Sequence, residues 1–292
     1  MLFNRIFDNK LHVVGEVDNL GFDNTEGLRI PDEYLENEEF VICRGAQAIG
    51  DWGVISALPR ILNGKYPNSK VKIPSSKMIK NLFGVESNIS KLIFDNNPYV
   101  DEFVDEIDGE VFHDHYRIYD KDNTDIPLIK QMLKFWQFEE NEMEDCRPEM
   151  YWSDEEKELG DGIIKQVVGD EDFGGLLVSD RFGTQYGNPD EKTLKNETTK
   201  IIKVLKENPL PYFYWTYKPI GETPFFFPKL ALDMRNIDLR IQLYIRSKAK
   251  LNVGNQCGTL QTISRYSKLY TVQRQFPIAH NYVDGEIYLW VM

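Results

Sequence analysis

Three cysteines in 292 residues, Cys43, Cys146 and Cys257, are too few, too scattered and odd in number for a disulfide framework. They fit a reducing compartment. Histidine is nearly as scarce, with four residues. His113 and His115 would share one face of a strand, as metal ligands can. No third ligand follows at a suitable spacing, so neither a metal nor another cofactor is expected. No apolar run approaches the roughly 20 residues that span a bilayer. The opening MLFNRIFDNKLHVVGEV also lacks the continuous apolar core of a signal peptide. A soluble, cytoplasmic chain without a transmembrane segment is the expectation. Positive charge is short as well: 34 Lys and Arg against 47 Asp and Glu leave a formal net charge of −13. Binding to a polyanion draws on clustered cations, so nucleic acid is not an expected partner. A small anionic nucleotide remains compatible, because a local pocket can oppose the overall sign. There is no Gly-Lys-Ser/Thr phosphate loop, no Gly-x-Gly-x-x-Gly fingerprint and no serine-hydrolase elbow. Kinase, dehydrogenase and serine-hydrolase readings therefore lose their main support.

What is present is a globular composition, 41% hydrophobic with 17 Phe, 15 Tyr and 5 Trp. The length leaves room for two domains of about 150 residues each. The most organised stretch is FVICRGAQAIGDWGVISALPRILNGKYP, residues 40–67. Phe40-Val41-Ile42-Cys43 suits a buried strand. Residues 44–50 carry two glycines and two alanines, so backbone can approach a ligand there. Asp51 reads as an N-cap. Val54, Ile55, Leu58, Ile61 and Leu62 then recur at helical spacing, closed by Gly64 and Pro67. A strand, a small-residue loop and a helix N-terminus form a ready ligand site at the carboxyl edge of a parallel sheet.

The rest of the chain reads as alternating strands and helices. Residues 1–37 form an extension, with weak strand alternation at His12–Val17. Strands are expected at Val71–Ile73, Lys91–Phe94 and Val111–His113, and helices at Ser76–Phe83 and Ile126–Phe138. Residues 139–156 are acid-rich, broken by Pro148, and read as a hinge. The alternation then restarts. Helices are expected at Asp154–Val168, Glu191–Lys206 and Asp238–Ser247, and strands at Gly175–Val178, Tyr212–Trp215, Leu251–Val253 and Leu269–Val272. Gly254-Asn255-Gln256-Cys257-Gly258 is a turn leading into a helix that runs to about Tyr266. Tyr282–Trp290 alternates like a further strand. The aromatic run Phe225-Phe226-Phe227-Pro228 can line a cleft or pack under a loop. The fold class is α/β with parallel, doubly wound sheets, divided into residues 1–145 and 146–292.

The stretch from residue 40 to 67 resembles the opening motif of glycosyltransferases of the heptosyltransferase type, glycosyltransferase family 9. The matching residues are Arg44, Gly45, Ala48, Ile49, Gly50, Asp51, Leu58, Pro59, Arg60, Leu62, Tyr66 and Pro67. The turn Asn97-Pro98-Tyr99-Val100-Asp101-Glu102 resembles a phrase of the same family, and residues 254–258 resemble its Gly-Asn-Asp-Ser-Gly motif. Gln256 stands where that motif has Asp, and Cys257 where it has Ser or Thr.

The resemblance, which spans roughly residues 38–275, implies two Rossmann-like domains facing a cleft, the GT-B arrangement. An acceptor-side domain would be followed by one that binds the nucleotide sugar. The implied reaction is hexosyl- or heptosyl-type transfer from a nucleotide-sugar donor to a glycan or other acceptor, inverting and metal-independent. Asp51 would be the catalytic base, although it is equally a preferred N-cap on structural grounds. At a helix N-terminus its carboxylate is expected to stay ionised. Arg44, Gly50, Arg181, Lys218, Gly254, Asn255, Gln256, Cys257 and Gly258 would line the donor and substrate site, and His113 the acceptor side. The departures at Gln256 and Cys257 leave two alternatives open. One is a degenerate, non-catalytic nucleotide- or glycan-binding relative; the other is a sugar-nucleotide epimerase of the same fold.

Overall fold

The computed structural model describes residues 2–7, 10–16, 39–43, 48–68, 70–106, 111–114, 129–130, 133, 138–143, 145–178, 191–216, 227, 229–255, 257–273 and 287–290. The chain divides into two compact units. The first is Met1–Tyr151 with Pro277–Asp284, and the second is Trp152–Phe276 with Gly285–Met292.

In the first unit, β3 (Glu39–Val41), β4 (Lys70–Pro74) and β5 (Glu102–Val104) form a parallel sheet in that order. Helices α1 (Ile49–Gly53) and α2 (Leu58–Lys65) connect β3 to β4. Helices α3 (Ser76–Phe83) and α4 (Ile89–Phe94) connect β4 to β5. Two expectations change here. Residues 91–94 belong to α4, not to a strand. Ile89, Ser90, Ile93 and Phe94 are the buried residues of that helix, a one-face spacing that the short run Leu92-Ile93-Phe94 conceals when read alone. The single helix expected after Asp51 is two. The Ser56 hydroxyl donates back to the Gly53 carbonyl at 2.6 Å, and Pro59, which has no N–H, opens α2.

A second sheet of this unit is antiparallel, in the order β2 (Lys10–Glu16), β1 (Leu2–Phe7), β6 (Val111–Asp114). The expected extension thus contributes two strands. The strand at 111–114 pairs with β1 instead of joining the parallel sheet, because the hairpin of β1 and β2 offers it an open edge. The expected hinge is largely packed structure. Cys146, Pro148, Glu149 and Met150 are buried, and Arg60 of α2 donates to a Glu149 carboxylate oxygen at 2.8 Å and to the Asp145 carbonyl at 2.7 Å. The Tyr151 hydroxyl donates to the other Glu149 oxygen at 3.1 Å.

The second unit is one six-stranded parallel sheet. Its order is β12 (Ile287–Trp290), β11 (Lys268–Gln273), β10 (Leu251–Asn255), β7 (Gly174–Val178), β8 (Tyr212–Thr216), β9 (Leu230–Asp233). Strand β9 had no counterpart in the sequence reading, and β12 accounts for the alternation near the C-terminus. One face is covered by α6 (Glu191–Glu207), whose Ile201, Val204 and Leu205 pack with Leu176, Val178, Val253, Val272 and Phe227. The other carries α5 (Asp154–Val168) and α7 (Leu239–Lys248), which enclose Phe173, Phe213, Ile241 and Ile245. A capping box starts α5. The Ser153 hydroxyl accepts from Glu156 N at 3.2 Å while the Glu156 carboxylate accepts from Ser153 N at 2.8 Å. Just before it, the Trp152 indole donates to the Arg240 carbonyl at 3.1 Å, and its ring lies 5.4 Å from that of Tyr244.

Candidate functional site

The chain runs from β7 outward to β8 and β9, then returns to β10 beside β7 and proceeds outward the other way to β11 and β12. The carboxyl ends of β7 and β10 are therefore the topological switch point, where doubly wound sheets bind ligands. Gly254, Asn255, Cys257 and Gly258 stand at that end of β10, beside the end of β7 at Val178.

The turn itself is tightly built. A Cβ on Gly254 would lie 2.0 Å from the Leu177 carbonyl oxygen, so the sheet itself demands glycine there. Asn255 is buried. Cys257 is the N-cap of α8 (Gly258–Gln261), in extended conformation, and its carbonyl accepts from Leu260 N at 3.1 Å and Gln261 N at 3.2 Å. Its side chain lies beside the cluster of Leu177, Leu260 and Leu269. The helix stops at Gln261 and continues as turns to Tyr266, shorter than the expected helix. The Thr262 hydroxyl donates back to the Gly258 carbonyl at 2.7 Å, a bond that competes with helix continuation. Gln256, Arg181 and Lys218 lie outside the described residues, as does Arg44.

Beneath this turn lies a residue that sequence reasoning missed. Arg246 of α7 has 0% exposure. One guanidinium nitrogen, Nη2, donates to the Leu176 carbonyl at 2.9 Å, while Nε and Nη1 have no hydrogen-bond partner. Burial lowers the guanidinium to about 10, with Cys257 acting in the opposite sense. The signal available was an arginine inside a helix whose residues 240–246 are otherwise rich in apolar side chains.

In the first unit Asp51 occupies the third position of α1, not its cap. Ala48 is the N-cap residue, and its carbonyl accepts from Asp51 N at 3.0 Å. The correction follows from Ile49 and Gly50 being helical already. The carboxylate still stands in the first turn, where the helix dipole favours negative charge, on a half-buried residue. The helix is anchored by Trp52, fully buried with its ring edge-on to Phe94 at 6.3 Å. Ser56 links it further: its hydroxyl accepts from Glu149 N at 2.8 Å while donating to Gly53. Burial lowers the Arg60 guanidinium, but the hydrogen bond and charge of Glu149 outweigh this and leave it raised. His113 pairs with Asn4 across β6 and β1; its side chain lies outside the described residues. Gly50 and Asp51 are thus neighbours on α1, and the 254–258 turn adjoins the end of β7.

Among the described residues no group of three or more His, Cys, Asp or Glu side chains is placed to hold a metal ion. Nor is any described helix long and apolar enough to cross a membrane.

This mixed α/β chain, with its parallel sheets, shares its fold with solved glycosyltransferases. The structure of a glycosyl transferase family 9 protein from Veillonella parvula matches with a TM-score of 0.53, over 87% of this chain and 86% of that one, at 10% identity. The Escherichia coli ADP-heptose lipopolysaccharide heptosyltransferase II matches with a TM-score of 0.50, over 85% and 92%, at 11% identity. No protein-family model and no curated protein sequence matches the chain. The resemblance carried by residues 40–67 and 254–258 thus holds at the level of fold.

Proposed function

We infer that this chain is a glycosyltransferase that moves a sugar from a nucleotide-sugar donor to an acceptor, with inversion and without a metal ion. The observation that carries the reading is the 254–258 turn at the switch point of a six-stranded parallel sheet, in a fold shared with glycosyltransferases. Residues 146–292 hold the donor, and residues 1–145, with His113, hold the acceptor. In the displacement the acceptor oxygen forms a bond to the anomeric carbon while the bond to the nucleoside diphosphate breaks on the opposite face. Asp51 takes the acceptor proton as the centre acquires oxocarbenium character. Negative charge grows on the departing diphosphate. Backbone N–H groups of the 254–258 turn, with Asn255, Gln256, Cys257 and Gly258, receive it, and Arg181 and Lys218 supply cations that a metal would otherwise provide. Arg44 and Gly50 border the reacting groups. The protein works in the cytoplasm.

The heptosyltransferase relative is described as acting with ADP-heptose, so ADP sugars are the first donors to try. The test is thermal unfolding of the full chain against ADP, GDP, UDP, dTDP and CDP and their sugars. A ligand held at 100 times its dissociation constant adds about 2.7 kcal/mol of stability. A raised midpoint with one base, reduced in Arg181→Ala, is the expected result. A flat response across the panel, in folded protein, overturns the donor site.

A further inference from the structure

We propose that Arg246 is the buried positive charge of the donor turn, and that it makes the turn select a diphosphate group over an uncharged ligand. The proposal rests on the glycosyltransferase reading and adds a residue and a selectivity to it.

The geometry comes first. At Gly175 and Gly254, on one face of the sheet, neighbouring atoms occupy the space a side chain would take. A Cβ on Gly175 would meet Asn252 Oδ1 at 1.9 Å and Arg246 Nη1 at 3.3 Å. In the sheet register Gly175 stands beside Asn252, and Gly254 stands between Leu177 and Thr271. Polar atoms crowd this face without partners: Arg246 Nε and Nη1, Asn252 Oδ1 and Thr271 Oγ1 are all buried and unbonded. Asn252 is held in place from its other end, donating to the Arg246 carbonyl at 2.9 Å and to the Ser267 hydroxyl at 2.8 Å.

A buried cation needs an anion close by, or it raises the energy of the fold. Among the described residues no carboxylate supplies one to Arg246. Its hydrogen bond there is to a neutral carbonyl, and the electrostatic neighbour is Cys257, in the turn itself. Even lowered to about 10, the guanidinium is charged at neutral pH. Its field reaches the carboxyl ends of β7 and β10 through a low-dielectric interior, where it is weakly screened. Arg246 touches no ligand, and it acts on one through the turn. An anionic group seated at 254–258 supplies the missing counter-charge.

The test compares the parent chain with Arg246→Met and Arg246→Lys. The probes are nucleoside diphosphates of the preferred base, the matching uncharged nucleoside and inorganic pyrophosphate, with folding checked by circular dichroism. Arg246→Met should weaken nucleoside diphosphate and pyrophosphate binding on the order of tenfold or more while nucleoside binding changes less than about twofold. Arg246→Lys, which keeps the charge, should fall between. Without ligand, Arg246→Met should melt at or above the parent midpoint, since it removes an uncompensated buried charge. A purely structural arginine would give the reverse: a lower midpoint and equal losses for all probes. That pattern, or unchanged diphosphate affinity in Arg246→Met, overturns the proposal while leaving the glycosyltransferase reading standing. Absence of diphosphate binding in the parent chain overturns both.

Discussion

Among the described residues, the deepest charges of the two units are treated in opposite ways. In the first, Glu149 is buried but saturated: Arg60 and Tyr151 donate to its carboxylate, and its own N–H donates to Ser56. In the second, Arg246 is buried with two of its three guanidinium nitrogens unbonded. The sheets differ in parallel. The first unit divides its strands between two three-stranded sheets, whereas the second runs one six-stranded sheet across its width. A saturated buried charge serves to hold segments together, here α2 and residues 145–151. An unsaturated one inside a continuous, well-packed sheet is held in tension by its surroundings, as groups at binding sites often are.

Four measurements press on this contrast. The largest effect belongs to Asp51. Asp51→Asn should reduce sugar transfer on the order of a hundredfold or more, with an unchanged melting midpoint and unchanged donor affinity. Transfer at the parent rate would move the chemistry out of the first unit. Next is Gly254→Ala. Its methyl would sit 2.0 Å from the Leu177 carbonyl, and crowding of a packed interior costs about 3 kcal/mol, read as a lower urea midpoint. An undisturbed midpoint would mean that the β7–β10 junction yields, contrary to the close packing of the second unit's sheet. Glu149→Ala should follow at about 2 kcal/mol, from lost charge-assisted hydrogen bonds around a side chain only 4% exposed. Full stability in that variant would erase the distinction between saturated and unsaturated charge.

The smallest effect is a pH dependence confined to the second unit. Burial, then the neighbouring Tyr270, pushes Tyr212 up to about 12. Burial, then the hydrogen bond it donates to Asp161 at 2.9 Å, does the same for Tyr244. The folded chain keeps these protons at a pH where the unfolded chain loses them. Their contribution is therefore whole below about 10, the ordinary tyrosine value, and lost as pH rises toward about 12. Stability measured across that window should fall, and Tyr212→Phe should flatten the fall.

What the sequence made legible was what local chemistry decides. Helix α5 begins and ends where expected because Ser153 and Glu156 cap one another. Helix α3 matches for a similar reason: the Ser75 hydroxyl accepts from Met78 N, and Gly84 closes the helix at a φ of 75°. The misses lie where the partner decides. The run 91–94 is too short for its period to show, and β6 takes its place from a hairpin roughly a hundred residues earlier. Of the candidate positions, the turn after β10 was legible from its glycines, whereas Asp51, read as the cap, stands inside the first turn because Ala48 caps the helix. Arg246 was not legible. An arginine near a helix end ordinarily reaches solvent, whereas here a Cβ at Gly175 on the neighbouring strand would lie 3.3 Å from Arg246 Nη1, so the missing side chain makes room for the guanidinium.

The passage from one unit to the other at Tyr151 and Trp152 has a mechanical consequence. Tyr151 is tied by its hydroxyl to Glu149, and Trp152 by its indole to Arg240, with the capping box following at once. The two residues are adjacent, and each is anchored in its own unit. Each anchor sets its residue's backbone from within its own unit, and neither bond depends on the other. An insertion between Tyr151 and Trp152 should therefore leave both hydrogen bonds formed and both cores undisturbed.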